Sequence, residues 1–85
     1  MKGKIKKEIE EMKSVFDKLK FSSKGKELYQ LAKAYLEDAE YFLRKGDFFR
    51  ALEAVSISWA YVDAGLHLRV FRLPEELMHT FTAKK

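Results

Sequence analysis

Three residues, Lys45-Gly46-Asp47, constrain this chain most, because they are all that separates two long segments of helical periodicity. Gly46 can take the left-handed conformation that closes a helix, and Asp47 can accept hydrogen bonds from the first free amides of the next one. So short a connection leaves two helices only antiparallel packing. Before the junction, Leu28, Leu31, Ala32, Tyr35, Leu36, Ala39, Phe42 and Leu43 share one broad arc at helical spacing. That arc predicts a helix over about residues 24–45, wide enough to meet two neighbours. After the junction, Phe48, Leu52, Val55, Trp59, Val62, Leu66 and Val70 form a heptad seam of large residues. Ala51, Ser58 and Gly65 border it and are small enough for close helix approach. This third helix is expected over about residues 48–71, ending near Leu73-Pro74 because the residue before proline disfavours the helical region.

The third helix carries a second stripe. Ile57, Tyr61, Ala64, Leu68 and Phe71 repeat at four and three on the side opposite the large-residue seam. A helix inside a monomeric three-helix bundle does not need both, so these five residues are the candidate interface. At the other end of the chain, Ile5, Ile9, Met12, Phe16 and Leu19 make a narrow stripe in a background of Lys and Glu. They predict a first helix over about residues 3–20 that packs on a single groove, in cis or in another chain. The fold class is therefore all-α, an antiparallel three-helix bundle in one domain, residues 1–85, with a tail over 73–85. Pro74 suits the first turn of a short helix there, and Leu77, Met78 and Phe81 have two options: folding back over the second stripe or staying mobile.

At 85 residues there is room for one core, and the 47% hydrophobic and 14% aromatic content is enough to fill it. Cysteine is absent, which excludes a disulfide framework and a thiolate metal site and fits a reducing cytoplasm. The scarcity of amide side chains beside abundant Lys, Arg and Glu is the bias of heat-adapted proteins, so a thermophilic source is expected. No apolar run reaches the roughly 18–20 residues of a membrane span, and no membrane partner is expected. The net charge of +4 is uneven, since residues 1–26 hold nine Lys against four acids.

The residues Ala34-Tyr35, Asp38-Ala39, Tyr41-Phe42-Leu43, Lys45-Gly46-Asp47, Ala51 and Asp63-Ala64-Gly65, taken together, resemble an archaeal family known as domain of unknown function 357. The likeness covers about residues 28–72, and it implies a three-helix bundle, an archaeal cytoplasmic source and no assigned activity. The turn from Phe42 to Glu53 is also similar to that of a tetratricopeptide repeat, but no second copy follows at the period of such a repeat.

Chemistry-bearing residues are sparse. Ser56, Asp63 and His67 share a flank of the third helix, and Asp63 and His67, at i and i+4, are positioned to share a metal or a proton. A metal site needs further ligands, and His79 supplies one only if the tail folds back onto them. Ser56 lies two helical turns from Asp63, roughly 10 Å, too far for activation. The four glycines are isolated and make no phosphate loop. Lys2, Lys4, Lys6, Lys7 and Lys13 are candidate anion contacts, offset by interleaved Glu8, Glu10, Glu11 and Asp17. The expected function is thus a non-enzymatic module, with no catalytic residues and no cofactor, that self-associates or binds a partner helix. The alternatives are a weak nucleic-acid binder using those lysines and a metal-dependent activity at Asp63 and His67.

Overall fold

The computed structural model describes residues 1–79 and 81. Three long helices, α1 (Lys2–Lys18), α2 (Lys26–Arg44) and α3 (Phe48–His67), form the expected bundle. A turn of 3-10 helix, Ser23–Gly25, leads into α2, and two short strands, β1 (Lys20–Phe21) and β2 (Phe71–Arg72), flank the bundle before a final turn, α4 (Glu75–Met78).

The α2–α3 hairpin is built on small side chains. Ala32 and Ala39 of α2 and Ala51 and Ser58 of α3 are wholly buried. Each pair is seven residues apart, so each lines one strip of its helix and lets the backbones approach closely. The Ser58 hydroxyl, buried in this strip, donates to the Ala32 carbonyl at 2.8 Å. It therefore needs no water, and it fixes the register of the two helices. Larger residues close the core around the strip, with Val55, Val62 and Leu66 from α3 and Leu36 from α2 all buried.

The junction matches its reading from sequence. Gly46 has φ 77°, the Asp47 amide donates to the Phe42 carbonyl at 2.9 Å and the Gly46 amide to Leu43 at 3.1 Å. These two bonds satisfy carbonyls that α2 leaves open at its end. The Asp47 side chain caps α3 by accepting from the Arg50 amide at 3.1 Å.

α1 packs in cis against both helices of the hairpin. Ile5, Ile9, Met12 and Leu19 are buried as their spacing requires, but Val15 joins them and Phe16 is only half-buried. Phe16 instead meets Tyr29 edge-on at 5.4 Å, and Tyr29 stacks on Phe21 at 4.3 Å.

The end of α3 corrects the expectation from sequence. The helix stops at His67, not near residue 71. Its closure repeats that of α2: the Val70 amide donates to Gly65 at 3.0 Å and the Arg69 amide to Leu66 at 3.1 Å. The left-handed position is held here by Arg69, φ 61°, an unusual choice that gives no terminator signal in the sequence. Turning the chain early lets Phe71 bury itself on the backbone of Gly65, where an added Cβ would fall 2.1 Å from the Phe71 ring. Phe71 also pairs with Phe21, and Arg72 with Lys20, in the antiparallel β1–β2 ribbon. The helical pattern did not announce this two-residue ribbon.

The tail folds back, but not onto the second stripe of α3. Phe81 is buried against Trp59 with ring centroids 4.8 Å apart, and Leu77 and Met78 are half-buried against the core. The parts of the expected tail at Thr80 and residues 82–85 lie outside the described residues.

Two substitutions test this packing. Gly65→Ala is expected to lower the unfolding free energy by about 1–3 kcal/mol through overpacking against Phe71, measured by urea denaturation. Ser58→Ala is expected to cost about 0.5–1.5 kcal/mol in the same assay, the net worth of one buried hydrogen bond.

Candidate functional site

The α2–α3 hairpin has two faces, and α1 occupies one. On that side Lys6, Ile9 and Lys13 of α1 line a cleft with Glu40, Leu43 and Arg44 of α2, and Lys13 bonds to Glu40 at 3.0 Å. Across the Ala32–Ala39 strip, on the opposite flank of α2, stand Leu31, Tyr35, Asp38 and Phe42. Beside them α3 presents Ile57, Tyr61, Ala64 and Leu68, which fall within about 60° of one another at 100° per residue. The two rows meet where Tyr35 stacks on Tyr61 with centroids 5.7 Å apart.

This second face is apolar and open. Leu31 is 40% and Leu68 69% exposed, while Ile57, Tyr61 and Ala64 are half-buried at the edge of the hairpin. A shallow groove of about 250 Å³ runs between the helices, lined by Tyr35, Phe42, Ala54 and Ile57 with Asp38, Arg50 and Glu53 at its rim. Arg50 is held in place: its Nε lies 3.6 Å from the Asp47 carboxylate and its guanidinium sits over the Phe42 ring at 5.8 Å.

Four of the five candidate interface residues therefore share the open face, and Phe71 does not. The early end of α3 takes Phe71 off the helix, and at 5% exposure it belongs to the core. The sequence reading missed the α2 contribution of Leu31, Tyr35 and Phe42. All three lie at one edge of the broad apolar arc, and the excess width of that arc was the available signal. It also missed Phe49, 77% exposed in the first turn of α3 and about 100° round the helix from Leu68.

The other candidates are dispersed. The five lysines are all exposed, but they fall into two groups, Lys2, Lys6 and Lys13 against Lys4 and Lys7, about 150° apart on α1. They do not form one basic surface. Asp63 and His67 approach to 3.8 Å on the exposed side of α3. Among the described residues, no third His, Cys, Asp or Glu gathers with them to hold a metal ion. The His79 ring is turned to its own turn, where Nδ1 donates to the Glu76 carbonyl at 2.7 Å. No helix of the described residues is long and apolar enough to cross a membrane.

Residues 3–71 match the model of a family described as protein of unknown function (DUF357). The chain belongs to the DUF357 family. A crystal structure of a DUF357 protein from Archaeoglobus fulgidus is similar in fold, with a TM-score of 0.77 and 26% identity over 86% of this chain and 92% of that one. No curated protein matches the chain. The match contains both rows of the open face, whereas Arg72 of β2 and all of α4 lie beyond it.

Within this DUF357 bundle the Lys13–Glu40 pair is half in solvent. Glu40→Gln is expected to destabilise the protein by at most about 1 kcal/mol in dilute buffer, and the difference from wild type is expected to fade in 1 M salt. Thermal denaturation at the two ionic strengths measures it.

Proposed function

We propose that the chain is a non-enzymatic association module in which two copies join through the open faces of their α2–α3 hairpins. The observation that carries this reading is the uncovered apolar face, where Leu31, Leu68 and the Tyr35–Tyr61 stack stand on the side away from α1. A two-helix layer has two faces to cover. α1 covers one, and a second hairpin laid on the other makes a four-helix core with an α1 on each outer side.

The energetics favour covering it. Full burial of a large apolar side chain is worth about 1.5–3 kcal/mol, and contiguous exposed apolar patches mark interfaces on soluble proteins. The charged rim of Asp38, Arg50 and Glu53 gives the contact polar edges, as interfaces between folded proteins have. Nothing in the reading needs a cofactor.

Light scattering coupled to size-exclusion chromatography tests it. Wild type is expected at about twice the 10.0 kDa chain mass at tens of micromolar, and Leu68→Glu at the mass of a single chain with unchanged helical circular dichroism. A wild type that stays monomeric throughout that range overturns self-association.

A further inference from the structure

A second concavity lies on the far side of α3, built by the turn that ends the helix. It has a volume of about 240 Å³ and is lined by Leu66, Phe71, Leu73 and Met78 with Arg69, Arg72 and Glu75. Leu66, Phe71 and Leu73 are buried and make an apolar floor. The two arginines and Glu75 are exposed at its edge. Among the described residues neither guanidinium has an ion-pair partner.

Arg69 is the unusual member. Helices α2 and α3 end in the same hydrogen-bonded closure, and the left-handed position is Gly46 in one and Arg69 in the other. Glycine takes that conformation without strain, whereas an arginine there is disfavoured. The dipole of α3 welcomes a cation near this terminus, but any position in the last turn meets that need. A residue kept in a disfavoured conformation points to a use for its side chain. Here the residue lines an apolar hollow that a second arginine, Arg72, lines as well.

Among the residues that line it, two guanidiniums against one carboxylate leave a single positive charge. That charge suits a monoanion, and a guanidinium fork suits the two oxygens of a carboxylate. The volume is below the roughly 300–1,000 Å³ of sites for drug-sized ligands, so the ligand is small. We propose that this hollow binds small amphiphilic carboxylates, with the carboxylate between Arg69 and Arg72 and a short hydrocarbon chain over Leu66, Phe71 and Met78. The site is separate from the open face of the hairpin and does not depend on its role.

Octanoate is the probe, titrated into the full chain while backbone amide resonances are followed. Saturable shifts confined to residues Leu66–Met78 are expected, with a dissociation constant of about 1 mM or tighter. Octan-1-ol, which has the chain without the charge, is expected to bind about tenfold or more weakly, as is octanoate to Arg69→Gly, each lacking a charge-assisted hydrogen bond. Arg69→Gly relieves the left-handed strain, so it is expected to be at least as stable as wild type, and its loss of binding cannot be assigned to unfolding. Absence of saturable shifts in wild type up to 10 mM, equal binding of octan-1-ol, or undiminished binding by Arg69→Gly would each overturn the proposal.

Discussion

The fold depends on how closely α2 and α3 approach. Buried alanines on one helix face Ala51 and Ser58 on the other, and the Ser58 hydroxyl spans the seam to the Ala32 carbonyl. A hydroxyl in so dry a place is tolerable only because its partner is within reach, so the bond selects one register. The rest follows from that intimacy. With its contact surface on small residues, α3 keeps its larger side chains for its two flanks. One flank, at Val55, Val62 and Leu66, completes the core, and the other, at Ile57, Tyr61 and Leu68, is left for something else.

Much of this was legible in the amino-acid sequence. The hairpin, the roles of Gly46 and Asp47, the small-residue border at Ala51, Ser58 and Gly65, and the family resemblance all rest on local chemistry that residue types report directly. The extent of α3 was not legible, because helix terminators are recognised by glycine or proline and this one is Arg69. Periodicity ran on through Leu68 to Phe71 without a break, so Phe71 read as helix surface. Its burial depends on the hollow over Gly65, a tertiary fact that no local window contains. The ribbon was hidden for a similar reason: Lys20 and Arg72 are far apart in the chain, and two-residue strands have no period to detect.

The open face was half legible. Four residues of α3 were found because their stripe was superfluous to a three-helix bundle. Leu31, Tyr35 and Phe42 were absorbed into a core arc, since sequence alone does not say which edge of a wide arc meets α1. Lys13 and Glu40 decide it by joining α1 to the other flank. The DUF357 match spans both rows, which places the face within the part of the chain that defines the family rather than in the tail.

The β1–β2 ribbon has a mechanical consequence. β1 follows α1 and β2 precedes α4, so the ribbon clasps the chain where it enters and leaves the α2–α3 hairpin. Lys20 and Arg72 are paired at the end of the clasp nearest those outer segments. Tension applied through α1 and the tail therefore meets the ribbon as a zipper, opening one pair at a time from Lys20–Arg72. The ribbon is two residue pairs long, so stretching would part it before α2 and α3 separate.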